Sequence, residues 1–152
     1  MGKAAKQVVT YCIRNDIGTL IVGYNTTFQR SSDLGRRMNQ VFVGIPFGIL
    51  RRKLKYLCEM NGIRYVEQEE SYTSMASFWD LDEMPVYGEA GLVPPVFSGC
   101  RICRGLYQDR SGRRINADVN GALNIMRKCN IVSLTALYAR GDVDTPVRIR
   151  IA

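Results

Sequence analysis

Two short apolar runs on either side of an amphipathic helix constrain the fold of this 152-residue chain more than any other feature. The first run, residues 19–23, is continuous and β-branched, which is typical of a strand buried on both faces. The helix is predicted to open at Pro46 and to end at Asn61-Gly62, and a second strand follows at 63–67. Strand, helix and strand at this spacing form a βαβ unit, so we expect an α/β fold with parallel pairing.

The rest of the chain is predicted to contain two more helices and one small β unit. Helical spacing of apolar residues favours helices over 3–14 and 116–129. Residues 71–99 contain three prolines and are expected to be irregular, whereas 97–114 reads as a hairpin unit with glycine turns. The residues that follow the last helix are expected to form a tail with a short edge strand or no regular structure.

The absence of histidine from the sequence limits the chemistry that the chain can perform. Ser-His and Cys-His catalysis, an imidazole base and histidine-bound zinc are excluded, so carboxylates, thiols, lysines or tyrosines must serve instead. No signal peptide opens the chain and no apolar run is long enough to span a membrane, which predicts a cytoplasmic protein without a membrane partner. Five cysteines, an odd number, are expected to be reduced thiols.

The net charge of +7 is unevenly distributed. Residues 1–61 contain ten Lys and Arg against three acids, residues 62–100 one against seven, and residues 101–152 ten against four. Basic ends around an acidic centre suit a nucleic-acid-binding protein with a cation-binding middle. Ordinary solubilising charge is the alternative interpretation.

Asp118 is the most informative acidic residue because it falls in the first turn of a predicted helix. Asn116 is a plausible N-cap for that helix. At helical spacing Asp118 shares a stripe with Ala122, Ile125 and Cys129, and a carboxylate on an apolar stripe needs a compensating partner. The sequence leaves two interpretations open, a metal ligand or an acid stabilised by the helix dipole.

A second acidic group, Glu67-Gln68-Glu69-Glu70, lies at the carboxyl end of the predicted second strand. Open α/β sheets place ligands at this end of their strands. Mg²⁺ takes oxygen ligands, and two such ions can stabilise the attacking and leaving oxygens of a phosphodiester. A solvated acidic loop is the alternative.

Several motifs, taken in order, strongly resemble the C-terminal half of OrfB/TnpB proteins, which bacterial insertion sequences encode. The three that carry most of the resemblance are Glu70-Ser71-Tyr72-Thr73-Ser74, residues 97–107 and residues 115–125. Residues 20–25 and 39–47 resemble the same family, so the resemblance covers nearly the whole chain.

The resemblance implies a partial RNase H-like, RuvC-type fold with a small zinc-ribbon-like β insertion. Residues 1–70 would be the C-terminal part of the RuvC-like domain and 71–114 a loop with a degenerate ribbon. Residues 115–130 would be the final RuvC-like helix and 131–152 a tail. TnpB-like proteins are RNA-guided DNA endonucleases, so DNA and a guide RNA are the implied partners.

The resemblance also implies an active site of three carboxylates that bind Mg²⁺ in a two-metal arrangement. The last matches Asp118, in the pattern Asp-x-Asn-x-Ala-x-Asn-Ile. The middle one usually lies where this chain has Val22-Gly23-Tyr24-Asn25 and no acid, but Glu70 matches an alternative position used by some relatives. Glu69 stays open as a substitute, since adjacent strand residues point oppositely. The first carboxylate belongs to an N-terminal strand hairpin that this sequence lacks.

Zinc-binding family members use two Cys-x-x-Cys pairs. Cys100 and Cys103 retain one pair as candidate ligands, but the other would fall near Ser77 and Asp80 and is absent. Structural zinc requires four ligands, and two thiolates would bind it weakly. We therefore expect the ribbon to be held by its own packing, around Phe97, Leu106 and Tyr107.

The functional hypothesis is a truncated transposase- or TnpB-like endonuclease segment that is inactive alone. It would contribute Glu70 and Asp118 to a Mg²⁺ site. The alternative is a non-catalytic remnant that binds nucleic acid or a separate N-terminal half. The side chains expected to contact nucleic acid are Arg51, Arg52, Lys55, Arg101, Arg104, Arg113 and Arg114.

Overall fold

The computed structural model describes residues 2–25, 46–86, 95–143 and 146. The chain divides into two compact units, here called unit 1, which ends at Glu67, and unit 2, which begins at Gln68. No helix in the described part of the chain is long and apolar enough to cross a membrane.

Unit 1 consists of two helices and a two-stranded sheet. Its elements are α1 (Gly2–Arg14), β1 (Thr19–Tyr24), α2 (Phe47–Met60) and β2 (Arg64–Glu69), whose last two residues belong to unit 2. β1 pairs with β2, as the βαβ pattern predicts, whereas the parallel direction and the RNase H-like fold stay predictions. Residues 26–45, between β1 and α2, lie outside the described residues, and so does most of the predicted edge strand in the tail.

The core of unit 1 forms because each helix places small or branched apolar residues on one face. Ala5, Val9 and Cys12 recur at helical spacing in α1, and Leu54 and Cys58 lie four residues apart in α2. α2 ends where the sequence predicts. There Asn61 donates its side-chain amide to the carbonyl of Leu57 (2.7 Å), and Gly62 takes a φ of +68°.

Unit 2 combines a three-stranded antiparallel sheet with two helices. The strands are β3 (Cys100–Cys103), β4 (Leu106–Gln108) and β5 (Arg114–Asn116), in the spatial order β3-β4-β5. α3 (Ala117–Cys129) follows β5 directly, and a short helix, α4 (Thr135–Arg140), lies in the segment expected to be a tail. The predicted hairpin unit and third helix are confirmed.

An aromatic cluster in the core of unit 2 explains why α4 forms despite a weak sequence signal. The ring of Phe78 is fully buried and stacks on Tyr138 of α4, with centroids 4.8 Å apart, and Trp79 packs edge-on against both rings. Leu134 and Leu137 pack against the same core. Six residues alone make a marginal helix, so tertiary packing is what stabilises it.

A close backbone approach requires glycine at position 99, just before β3. A Cβ at Gly99 would lie 2.6 Å from the carbonyl oxygen of Gln108 and 2.7 Å from the Tyr107 ring. Any side chain there would therefore displace β4 or the buried Tyr107.

Candidate functional site

The two glutamates at the end of β2 have different environments. Glu69 accepts hydrogen bonds from the Lys128 ammonium (2.5 Å) and from the backbone N–H of Ser71 (2.5 Å). Lys128 is largely buried and also donates to the carbonyl oxygens of Ser71 and Pro85. Burial opposes ionisation of Glu69, but the bonds from Lys128 and Ser71 lower its pKa overall. Both oxygens of Glu69 are thus engaged within the protein.

Glu70 is half-buried, and in the part of the chain that the structure describes no hydrogen bond or ion pair reaches its carboxylate. Its backbone carbonyl does accept bonds, from the Thr73 hydroxyl (2.9 Å) and the Thr73 N–H (3.2 Å). Burial raises the pKa of Glu70, and the charge of Glu69 raises it further. Of the two candidates, Glu70 is the glutamate whose side chain is available to a ligand.

Asp118 lies in the first turn of α3, where the predicted N-cap is confirmed. The Asn116 side chain accepts hydrogen bonds from the N–H groups of Asp118 (2.9 Å) and Val119 (3.2 Å). Asp118 and Ala122 are exposed, whereas Ile125 and Cys129 on the same stripe are half-buried, so the first turn of this stripe faces solvent. The charge of Asp118 therefore needs no compensation for burial, and its side chain is accessible.

The buried face of α3 has two asparagines instead, and we call Asn120 and Asn124 the asparagine clamp. Asn120 donates to the carbonyl of Ala76 (2.8 Å) and accepts from the N–H of Phe78 (3.1 Å). Asn124 donates to the carbonyls of Thr73 (2.9 Å) and Ala76 (2.7 Å). Both side chains are almost completely buried. Since residues 73–78 form no helix or strand, the clamp satisfies main-chain groups that would otherwise be buried without partners.

The sequence did not lead us to predict the asparagine clamp, although both residues belong to the Asp-x-Asn-x-Ala-x-Asn-Ile pattern. Their spacing of four residues puts them on one helix face, and this spacing could have predicted that they act together.

The clamp ties the segment that follows Glu70 to α3, the helix with Asp118 in its first turn. No hydrogen bond or ion pair joins the two carboxylates within the described residues, and no cluster of three or more Cys, Asp or Glu side chains suited to a metal occurs there. A divalent cation shared by Glu70 and Asp118, with water or a substrate phosphate as further ligands, therefore stays a prediction.

The basic side chains predicted to contact nucleic acid fall into separate groups. In unit 1, Arg52 and Lys55 are exposed on α2, whereas Arg51 forms an ion pair with Glu67 (3.1 Å) and lies over the Tyr24 ring.

In unit 2 the basic residues do not form one patch. Arg101 and Arg104 are exposed on β3 and the turn after it. Arg101 pairs in register with Tyr107, but Arg114 pairs with Gln108, so the two arginines lie in neighbouring cross-strand rows and point to opposite faces of the sheet. Arg113 is engaged over the Trp79 ring, 4.6 Å from its centroid.

Within residues 71–86 and 95–114, no group of three or more Cys, Asp or Glu side chains is placed to hold a zinc ion. Cys100 and Cys103 are both exposed on β3 as free thiols. The expected packing is present in part, since Tyr107 is buried and donates to the Met75 carbonyl (2.8 Å), while Phe97 lies 5.8 Å from the Tyr72 ring. Leu106 is only half-buried.

Comparison with known proteins bears directly on the family. The model of the Cas12f1-like TNB domain matches residues 47–125, just over half of the chain, and spans α2, the three strands of unit 2, Glu70 and Asp118. No match was found among curated proteins. The match supports the TnpB/Cas12f-like relationship and a nucleic-acid partner. The chain therefore belongs to the Cas12f1-like TNB domain family.

Proposed function

We propose that this chain binds nucleic acid and contributes two Mg²⁺-binding carboxylates, Glu70 and Asp118, to the RuvC-type site of a TnpB-like DNA endonuclease. We expect little or no cleavage by the chain alone, because the family's site uses three carboxylates and this sequence supplies two. The family match supports the nucleic-acid partner.

The contrast between Glu69 and Glu70 is the observation that carries the proposal. Lys128 and Ser71 occupy the oxygens of Glu69. The carboxylate of Glu70 is half-buried without a described partner, and its pKa is raised by burial and then by Glu69. Such a carboxylate is unfavourable unless a cation accompanies it, and perturbed acids of this kind are concentrated at functional sites.

Asp118 is the second proposed ligand. Its side chain is exposed at the start of α3, and the asparagine clamp fixes the segment after Glu70 to the same helix. Mg²⁺ binds oxygen ligands, typically one or two carboxylates together with water and substrate phosphates. The side chains of Glu70 and Asp118 are therefore of the type that this ion binds. When bound, Mg²⁺ supplies charge stabilisation to the reacting oxygens of a phosphodiester. Lys128 would keep Glu69 from competing for the ion.

Binding of Mn²⁺, a paramagnetic substitute for Mg²⁺, tests the site in the full chain. Electron paramagnetic resonance at pH 7.5 reports free Mn²⁺ directly. Glu70→Gln and Asp118→Asn should each lower the affinity by roughly tenfold, because each removes one of two charged ligands. Glu83→Gln and Asp142→Asn, at two exposed acids, are matched controls that should bind like the wild type. Wild-type affinity in both ligand variants would refute the assignment.

Nucleic-acid binding requires a separate test, because it can occur without the metal site. Fluorescence anisotropy of labelled single-stranded and duplex DNA should show an affinity that falls steeply as the salt concentration rises. For duplex DNA, the slope of log affinity against log salt concentration should be about −0.9 for each phosphate contact. Neutralising Arg101, Arg104 and Arg114 together should reduce that slope. Arg140→Gln is the control, since Arg140 is paired with Asp142.

A non-catalytic nucleic-acid-binding module is the second candidate. It is favoured by the finding that, within the described residues, no three acidic or thiol side chains cluster as metal ligands. This candidate predicts DNA affinity that neither Mn²⁺ nor the Glu70→Gln and Asp118→Asn substitutions change. The endonuclease proposal predicts tighter DNA binding when Mn²⁺ is present, and loss of that gain in both variants.

A further inference from the structure

The ribbon of unit 2 contains a polar network where its zinc-binding relatives would place a pair of cysteines. The positions near that missing pair are Ser77 and Asp80. Ser77 is completely buried and donates its backbone N–H to Asp82 within the same turn, whereas the half-buried Asp80 accepts a hydrogen bond from the more distant Ser98. The chain thus has hydrogen bonds at the positions where zinc-binding relatives would have the first cysteine pair.

Asp82 is the main acceptor of the network. One of its oxygens accepts the backbone N–H groups of Ser77 (2.8 Å) and Ser98 (3.0 Å), and the other accepts the Ser98 hydroxyl (2.6 Å). Charge-assisted bonds of this kind are about twice as strong as neutral ones. A single carboxylate therefore joins the turn at 77–82 to the segment that leads into β3.

Asp80 extends the network to a third segment. Its carboxylate accepts the Ser98 hydroxyl (2.9 Å) and the backbone N–H of Arg110, in the turn between β4 and β5 (3.0 Å). The hydroxyl has one proton, and Asp82 is the nearer of its two acceptors. Burial opposes the charge of Asp80, but the bonds from Arg110, Ser77 and Ser98 lower its pKa overall, so it is ionised at neutral pH.

The thiols that remain do not fit a zinc ion. Cys100 and Cys103 are exposed, and no third cysteine or acid in the described residues forms a metal-binding group with them. Structural zinc sites are closed and four-coordinate. The donor set therefore disagrees with the zinc that the family resemblance implies.

We infer that the ribbon of this chain folds without metal and that Asp80, Asp82 and Ser98, here called the carboxylate staple, perform the cross-linking that zinc provides in relatives. Zinc joins two turns of a ribbon through four thiolates. The staple joins three segments through the main-chain N–H groups of Ser77, Ser98 and Arg110. This inference does not depend on the proposed metal site at Glu70 and Asp118.

The test uses the full chain and the fluorescence of Trp79, the only tryptophan, which lies in unit 2. Elemental analysis of chain purified without chelator should find far less than one zinc per chain, and EDTA should leave the thermal midpoint unchanged. Cys100→Ser with Cys103→Ser should also leave it unchanged. Asp82→Ala should lower it by roughly 5–15 °C, because three hydrogen bonds are lost.

Two further variants keep the test informative if Asp82→Ala does not fold. Asp82→Asn retains one acceptor oxygen and should recover part of the loss, and Ser98→Ala should cause a smaller shift. Glu83→Ala, at the exposed neighbouring acid, is the matched control and should have no effect.

Three results would overturn the inference. They are one bound zinc per chain whose removal by EDTA lowers the midpoint, loss of stability in the paired Cys→Ser variant, or equal midpoints for Asp82→Ala and Glu83→Ala.

Discussion

Unit 1 and unit 2 are stabilised in different ways. Among the described residues of unit 1, those that are buried are all apolar, and they lie on the facing sides of two helices and just before β2. Every buried polar residue identified in the described part of the chain belongs to unit 2, namely Ser71, Thr73, Ser77, Asp109, Asn120 and Asn124.

The difference follows from how each unit satisfies its backbone. In unit 1 the core elements are helices and paired strands, which bond their own N–H and C=O groups. In unit 2 residues 71–82 run through the core with turns only, so side chains must supply the missing partners. Both proposed features of unit 2, the metal ligands and the carboxylate staple, lie in or next to this irregular segment.

The largest effect is expected for Asn124→Ala, which leaves the Thr73 carbonyl without its donor, removes one of the two donors to the Ala76 carbonyl and opens a cavity at a fully buried position. An orphaned buried carbonyl costs about 1–3 kcal/mol and the cavity adds to this cost, so we expect a loss of about 4 kcal/mol in the free energy of unfolding. Urea denaturation followed by Trp79 fluorescence measures it. Ala122→Ser, at an exposed position of the same helix, is the control, and a loss below about 1 kcal/mol would contradict the clamp.

Leu54→Ala tests how much the apolar core of unit 1 contributes to the free energy of unfolding. Leu54 is 6% exposed, and truncation of a buried leucine costs about 2–5 kcal/mol through lost burial and a residual cavity. Amide hydrogen exchange in α1 and α2 should rise accordingly. Exchange that rises equally in Leu54→Ala and in Tyr56→Ala, whose side chain is exposed, would show that burial in this core is not the stabilising factor.

Glu69→Gln should destabilise unit 2 by about 1–2 kcal/mol at pH 7, since it leaves the buried Lys128 ammonium without its anion. The folded-state pKa of Glu69 lies below its unfolded value, so its stabilising effect is complete above the unfolded pKa and is lost as pH falls through the folded one. Denaturation curves between pH 7 and pH 3 should show a larger loss of stability in the wild type than in the variant, in which only other acids such as Asp80 contribute.

Glu70→Gln should change the stability of the protein in the opposite direction from Glu69→Gln, although the two residues are adjacent. Its folded-state pKa is raised, so the protein is most stable when Glu70 is protonated and loses stability as pH rises through that pKa. Without metal, the variant should be more stable than the wild type at pH 7 by less than about 1 kcal/mol, because solvent screens a half-exposed charge. Destabilisation by Glu70→Gln would show that the carboxylate has a structural partner.

The smallest effect is expected for Arg51→Ala on the surface of unit 1. Arg51 and Glu67 are both about one-third exposed, and such ion pairs contribute about 0.2–1 kcal/mol. The effect should weaken further in high salt. A loss above about 2 kcal/mol, measured by hydrogen exchange in α2, would show that charge as well as apolar packing stabilises this unit.

Local sequence signals predicted the elements that depend on neighbouring residues. The N-cap at Asn116, the end of α2 at Asn61-Gly62 and the strands beside Gly99 and Gly105 follow from side-chain hydrogen bonds and backbone preferences within a few residues. The helix α4 was not predicted, because its six residues need the distant Phe78 ring to be stable.

The sequence by itself determined which carboxylates are available, and it excluded histidine chemistry, because residue types and short motifs are properties of the chain. Only the tertiary structure decided that Lys128 pairs with Glu69 and that, among the described residues, the Glu70 carboxylate has no partner. It also decided that Asn120 and Asn124 face the core and that Asp80 and Asp82 bind main-chain groups far along the chain. These contacts join residues between 16 and 59 positions apart. No local pattern encodes them, because they form only once packing has brought the segments together.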